Sequence, residues 1–475
     1  MHRFLISAAR KSSGKTSVSI GLAAELSRRG LAVQTFKKGP DYIDPKWLSA
    51  ASGRVCRNLD FNVSSPAELP LEFARHGAGA DVCLVEGNNG LYDGLDLQGR
   101  NSNAALAQLL ELPVVLVLDA RGMTRGIAPL ILGYQAFERS INIVGVILSR
   151  LGGSRHEAKL RAVIEHYTDV PVLGAVHEDP RLAIAERHIG LTPANEDGEA
   201  RARIALLGAA IGRQVDLERL LAATAGAAAL PAVPPLAAPA RAGVRIPQGL
   251  PVVVGIARDR AFGFYYSDDL EALERAGAEL VFFDALRDAQ LPRVDGLIIG
   301  GGFPEVFMRE LEANAGLRAE ILAAIETGMP AYAECGGLMY LARSLTWRGD
   351  TRRMVGAIAG DIVMQERPVG RGYVRLAPTE AHPWLDRNDQ RAEIPAHEFH
   401  YSSIEGLDPK TRFAYRVARG FGVDGKSDGI VVNNLLATYS HLRSVGGCSW
   451  AARYVGFVRD WAVRRKAAPA LAAAH

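Results

Sequence analysis

Residues 4–22, FLISAARKSSGKTSVSIGL, decide how the first half of this chain is read. Phe4, Leu5 and Ile6 form the apolar run that a buried parallel strand needs. The stretch then passes into small residues and resumes with helix formers through Ala23, Ala24, Glu25 and Leu26. A strand, a loop holding Ser13, Gly14, Lys15, Thr16 and Ser17, and a helix are the setting of a nucleotide phosphate loop. Backbone N–H groups at a helix start hold phosphate oxygens, a lysine adds positive charge, and a threonine hydroxyl can bind Mg²⁺. The usual spacing is GxxxxGK[ST], and Ala9 stands where its first glycine belongs. The plain alternative is a Gly-Lys-Thr that only caps a helix. Its place at the first strand of an α/β pattern favours phosphate binding.

With 475 residues the chain has material for two or three domains. Its 55 basic and 52 acidic residues leave a net charge of +3 and no long like-charge run, so nucleic acid and anionic membrane surfaces are not expected as partners. Cys56, Cys83, Cys335 and Cys448 are scattered without CxxC spacing, which fits a reduced, cytoplasmic chain and gives no zinc signature. We expect no signal peptide and no membrane span.

A second strand, Leu31 to Phe36, runs into Lys37-Lys38-Gly39-Pro40-Asp41-Tyr42-Ile43-Asp44-Pro45. Two acids three residues apart beside two lysines suit a site for Mg²⁺ and phosphates, with Lys37 as a nucleotide contact. A solvated turn is the equal alternative here. A third strand, Asp81 to Val85, ends at Glu86-Gly87-Asn88-Asn89-Gly90. An acid at the carboxyl end of a buried strand is where open α/β sheets place ligands, so Glu86 is a candidate metal ligand. Further strands are expected over Leu112–Leu118, Asn142–Leu148 and Val170–Val176, with helices at Asn103–Leu110 and Ile127–Phe137 between them. Residues 187–191, RHIGL, complete this half.

Residues 222–250 are rich in alanine and proline and read as a connector. A new α/β unit starts at Pro251 to Ala257, followed by a helix at Ser267–Ala276 and a strand at Leu280–Phe283. Leu297-Ile298-Ile299 leads into Gly300-Gly301-Gly302, glycines that let a ligand approach the backbone. Met329 to Glu334 is a short strand that meets Cys335 and then Gly336-Gly337 opening a helix. That is the layout of a nucleophile elbow, and a helix N-terminus favours the thiolate. An N–H of Gly336 or Gly337, with one from Gly301 or Gly302, would form an oxyanion hole on the substrate side. A buried structural cysteine is the plainer alternative. Histidines 382, 397, 400 and 441 are the candidate bases. HEFH at 397–400 is one residue too short for a HExxH zinc motif.

These segments resemble a family. GKT, FKKGPDYIDP, EGNNGLYDG, DARGMTRG and ERHIGL occur in the order of the synthetase domain of cobyrinate a,c-diamide synthases, relatives of dethiobiotin synthetase. GGGFPE, ECGG and the late His441 resemble class I, triad-type glutamine amidotransferase domains, and AFGFYYSDDL, RPVGRGY and HEFHYS resemble the same family. The resemblance implies two doubly wound, mostly parallel α/β domains: a synthetase over 1–221, a linker over 222–250, an amidotransferase over 251–460 and a tail over 461–475. It implies ATP and Mg²⁺, with Ser13 to Ser17 and Lys37 at the nucleotide. Thr16, Asp41 and Glu86 would stand at the metal, Asp44 and Glu86 at the acceptor carboxylate, and Tyr42 and Ile43 beside a tetrapyrrole. Cys335 becomes the glutaminase nucleophile and His441 its base. Many such domains carry an acid two residues after the histidine. Here Arg443 stands there, so the third member is missing or comes from elsewhere.

The implied activity is glutamine-dependent amidation of cobyrinate a- and c-carboxylates through acyl phosphates, and the partners are glutamine and the tetrapyrrole. The family likeness also admits a homodimer. Ala9, Lys38 and Asn89 depart from the family wording and keep sirohaem or (nickel) sirohydrochlorin open as the acceptor. A different class is a deviant phosphate-loop regulatory ATPase with a degenerate amidotransferase module.

Overall fold

The fold is described from a computed structural model covering residues 1–187, 190–196, 198–225, 251–385 and 393–472. The chain divides into two units, Met1–Pro235 and Leu236–His475. The expected connector begins inside the helix Leu217–Ala223, and residues 226–250 lie outside the described ones.

Among the described residues the first unit holds a seven-stranded sheet in the order Arg57–Leu59, Val33–Lys38, Val82–Glu86, His2–Ala8, Val114–Asp119, Ile143–Leu151, Val172–His177. Every pairing is parallel. His2–Ala8 sits in the middle, and its residues from Arg3 to Ala8 are buried, as expected for a strand covered on both faces. The core is Val, Leu and Ile from the central strands, closed by Phe36, Phe73, Ile127 and Ile131. Ile127–Phe137 forms the helix its sequence predicts. The strand Arg57–Leu59 was not expected; three residues are too few to show a period.

The second unit starts with five parallel strands, Ala278–Phe283, Val252–Ala257, Gly296–Ile299, Ala331–Glu334 and Leu435–Thr438. Beyond Leu435–Thr438 the same sheet continues with four antiparallel strands, Ser427–Val432, Arg412–Arg419, Gly370–Pro378 and Ile394–His400. The α/β class therefore holds, with an antiparallel wing on the second sheet. The tail expected from residue 461 needs correction. The helix that begins at Trp450 runs through to Ala472. Ala462 is buried and Trp461 packs on the core, so one face of the helix continues past 460.

Candidate active sites

In the first unit the sheet brings three sequence-distant segments to one end. Gly14 caps the helix Lys15–Arg28 in a left-handed conformation, φ 87°, which glycine adopts without strain. Ser149 Oγ donates to the Ser13 carbonyl at 2.7 Å and Ser13 Oγ donates to the Arg10 carbonyl at 2.9 Å, which fixes the loop. Ser17 is half-buried on the first turn. Lys15 Nζ donates to the Asn89 carbonyl at 2.7 Å. Burial, helped by the neighbouring Lys37 charge, pulls Lys15 down to about 8.

Lys37 is the centre of the charge cluster. Its ammonium lies 2.5 Å from Asp44 Oδ2, 2.8 Å from Glu86 Oε1 and 3.7 Å from Asp41 Oδ2. Burial opposes its charge, but Asp44, Glu86 and Asp41 outweigh burial and hold it well above the usual lysine value. Thr16 Oγ1 donates to Glu86 Oε1 at 2.7 Å, and its distance to Asp44 Oδ2 is 3.3 Å. Burial pushes Glu86 up against the pull of Lys37, and Asp41 is raised by burial and by the Asp44 charge. A solvated turn does not describe this segment, because Lys37 and Lys38 are both buried.

The donor set suits a hard cation. Thr16 Oγ1 meets both Asp44 Oδ2 and Glu86 Oε1, and Glu86 Oε2 is buried with no hydrogen-bond partner among the described residues. No group of three or more His, Cys, Asp or Glu side chains forms a metal cage among the described residues.

The departures from family wording also sit here. Lys38 donates to Asn88 Oδ1 at 3.0 Å, and Asn89 takes a positive φ of 34° as its carbonyl meets Lys15. Asp119 gathers Arg121 and Arg150 at 2.8 and 3.3 Å. Tyr42 and Ile43 are buried. Gly190 approaches Ile43, since a Cβ there would lie 3.5 Å from Ile43 Cδ1, and Trp47 Nε1 donates to the Thr192 carbonyl at 2.9 Å. The DYIDP and RHIGL segments are thus neighbours; His188 and Ile189 of the latter lie outside the described residues.

In the second unit Cys335 follows the strand Ala331–Glu334 and precedes the helix Gly336–Leu341. It holds φ 47° and ψ −100°, a conformation that costs a residue with a Cβ and marks a sharp turn. Its N–H donates to the Thr438 carbonyl at 2.7 Å. Gly337 has to be glycine: a Cβ would stand 2.0 Å from the Ile299 carbonyl oxygen. A Cβ on Gly336 would lie 2.9 Å from the Gly302 nitrogen, and one on Gly301 would lie 2.7 Å from His441 Cε1. The glycines from both motifs therefore converge on the cysteine.

Cys335 is close enough to the His441 imidazole to favour its charged form. Asp428 accepts the Tyr439 and Ser440 N–H groups, each at 3.0 Å, so the segment leading to His441 is fixed. His441 Nδ1 lies 3.0 Å from Glu334 Oε2. Burial alone would lower this imidazole, but Cys335 and Glu334 raise it well above the ordinary histidine value. The carboxylate that meets His441 thus comes from the residue just before the cysteine. Arg443 points elsewhere, donating to Asp268 Oδ2 at 2.8 Å and lying 4.6 Å over the Tyr266 ring.

His397 stacks on His441 at 4.9 Å and is held neutral by burial. His400 stacks on Tyr439 at 3.9 Å. His382 is buried against Tyr415, with Nε2 2.8 Å from the hydroxyl. HEFH forms no metal group among the described residues.

Comparison with known proteins covers both units. Residues 5–191 match the CobQ/CobB/MinD/ParA nucleotide binding domain family, and residues 253–445 match the CobB/CobQ-like glutamine amidotransferase domain family. The first unit is accordingly a nucleotide-binding domain. A cobyrinate a,c-diamide synthase of Magnetococcus marinus is 48% identical over 460 residues, 96% of this chain and 97% of that protein. Proteins of the same description from Methanosarcina acetivorans and Archaeoglobus fulgidus are 40% and 39% identical over 93% and 95% of this chain, and over 92% and 96% of their own lengths.

Proposed function

This chain belongs to the cobyrinate a,c-diamide synthase family, and as such is a glutamine amidotransferase-type ligase; from that premise we propose that it amidates the a- and c-side-chain carboxylates of a cobyrinate-type tetrapyrrole in two half-reactions. The supporting observation is that each half has its own assembled site: a cysteine at a sharp strand-to-helix turn beside a buried histidine that is held by Glu334, and a phosphate loop beside buried acids and Lys37.

In the glutaminase half, the Cys335 sulfur attacks the glutamine side-chain carbonyl. His441 takes the thiol proton and returns it to the departing nitrogen, so ammonia leaves and a glutamyl thioester remains. Water then cleaves the thioester, giving up a proton through His441, and glutamate departs. N–H groups of Gly302 and Gly336 hold the carbonyl oxygen as it gains charge.

In the synthetase half, the acceptor carboxylate attacks the γ-phosphorus of ATP to give an acyl phosphate and ADP. Ammonia displaces phosphate from that acyl group and leaves the amide. Ser13, Gly14, Lys15, Thr16 and Ser17 hold the phosphates, and Lys37 offsets part of the negative charge of Asp44 and Glu86. Thr16, Asp44 and Glu86 would hold a Mg²⁺ ion, which would screen the triphosphate charge. Asp44 and Glu86 orient the acceptor carboxylate, and Tyr42 and Ile43 line the tetrapyrrole. The chain works in the cytoplasm, where its four cysteines, all free, stay reduced; among the described residues no helix is long and apolar enough to cross a membrane.

The test is mass spectrometry of products formed from cobyrinate, sirohaem and sirohydrochlorin with ATP, Mg²⁺ and glutamine. Each amide exchanges a hydroxyl for an amino group, so the mass counts sites. Two amides on cobyrinate alone is the expected result. Amidation of sirohydrochlorin instead would move the acceptor assignment, and ATP hydrolysis without any amide would favour the regulatory ATPase.

A further inference from the structure

We propose that Glu334, the residue immediately before Cys335, is the positioning carboxylate for His441, supplied from the cysteine's own strand rather than from the loop that follows the histidine. This rests on the glutaminase reading of the Cys335 site.

Three donors fix the Glu334 carboxylate, one from its own strand and two from the segment that follows the neighbouring strand. Oε2 meets His441 Nδ1 at 3.0 Å, while Oε1 accepts the Tyr332 hydroxyl at 2.5 Å and the Leu442 N–H at 3.0 Å. Tyr332 and Glu334 are two apart on one strand and so share a face. The parallel register pairs Glu334 with Thr438, which sets residue 441 just beyond the strand end beside the carboxylate. Behind it lies a cavity of about 20 Å³, lined in part by Tyr266, Asp269, Tyr332 and Trp450. The Glu334 side chain is 9% exposed, so solvent does not screen its pairing with the imidazole.

A carboxylate on Nδ1 keeps the proton on that nitrogen, turns Nε2 toward the thiol and stabilises the imidazolium that forms when the thiol proton is taken. Nδ1 being taken, Nε2 is the nitrogen left for Cys335. The usual acid position is excluded because Arg443 is committed to Asp268 and to the Tyr266 ring. The other ionisable groups facing this pair do not replace Glu334. His397 is kept neutral by burial, and Asp269 is raised by burial and accepts the Ser444 N–H at 2.5 Å.

The experiment compares E334Q and E334D with the unaltered protein in glutamine hydrolysis as a function of pH, with ammonium-supported synthesis measured alongside. Ammonium bypasses the cysteine site and reports folding. E334Q is expected to lose about 10²-fold or more in kcat for glutamine hydrolysis with little change in KM. Its alkaline limb should move to lower pH, because the imidazolium has lost its negative partner. E334D should recover part of the rate and return the limb upward. The proposal is overturned if E334Q keeps the rate and the pH profile, or if E334D is no better than E334Q. A failure of the glutaminase reading is distinct: glutamine hydrolysis would then survive in C335A.

Discussion

The two sites in this chain solve the problem of burying charge in opposite ways. Around Lys37 opposite charges are packed together: an ammonium faces Asp44 and Glu86 at 2.5 and 2.8 Å, with Asp41 further out at 3.7 Å. Such a cluster is costly to leave half-paired and gains its value when phosphates and a cation arrive. Beside Cys335 the negative partner of His441 is Glu334, which is held by three directed hydrogen bonds before any substrate is present. The first site can rearrange its ion pairs as a reaction moves charge. The second is set in advance, which suits a proton relay whose geometry must not drift. The pairing of a nucleotide fold with an amidotransferase fold thus also pairs an adjustable site with a rigid one.

Breaking the rigid site first gives the largest expected effect. C335A should lose glutamine-dependent synthesis by on the order of 10⁴-fold or more while keeping synthesis from ammonium chloride, and assays with each nitrogen donor check it. Loss of both in a folded, nucleotide-binding protein would refute the separation of the two sites.

The adjustable site is broken by K15A, which should lower synthesis by about 10²–10³-fold with either donor, since one cationic stabiliser of the triphosphate is gone. Glutamine hydrolysis measured alone should survive. Near-normal amidation at saturating ATP would place the nucleotide elsewhere.

A gentler probe uses pH. Lys15 is lowered to about 8 by burial and Lys37, so the folded protein sheds this proton where the unfolded chain still holds it. Between about pH 8 and the ordinary lysine value, stability from this group therefore rises with pH, while nucleotide affinity falls as the charge is lost. Phosphates should pull the proton back. Calorimetric titration of the nucleotide near pH 8.5, in buffers of different ionisation enthalpy, is expected to show proton uptake that K15A lacks.

The smallest effect sharpens the rigid side. Y332F removes one of the three donors to Glu334 and leaves the other two, so glutamine hydrolysis should fall by roughly 10-fold, the worth of about 1.5 kcal/mol for a hydrogen bond to a charged acceptor. Kinetics at fixed pH decide it; a loss as large as that of E334Q would mean that the carboxylate is not independently held.

The sequence by itself carried what is local. Short apolar runs set most of the parallel strands to within a few residues, because burial on both faces removes polar positions from them. The Gly-Lys-Thr and Cys-Gly-Gly stretches declared sharp turns at strand ends, since backbone N–H clusters need small residues there. His441 was legible as partner of Cys335 only through the order of motifs. Sheet order and register decided the rest. Glu334 meets His441 because Ala331–Glu334 lies parallel beside Leu435–Thr438, a pairing between segments about a hundred residues apart that no local pattern encodes. The same holds for Lys37, whose role between Asp44 and Glu86 depends on Val33–Lys38 lying against Val82–Glu86. The antiparallel wing and the helix through Ala472 escaped because alternating or alanine-rich stretches show their buried face only once a partner surface exists. Local chemistry is written in short runs of residues, whereas proximity between distant runs is paid for by burial across the whole sheet and exists only in the folded chain.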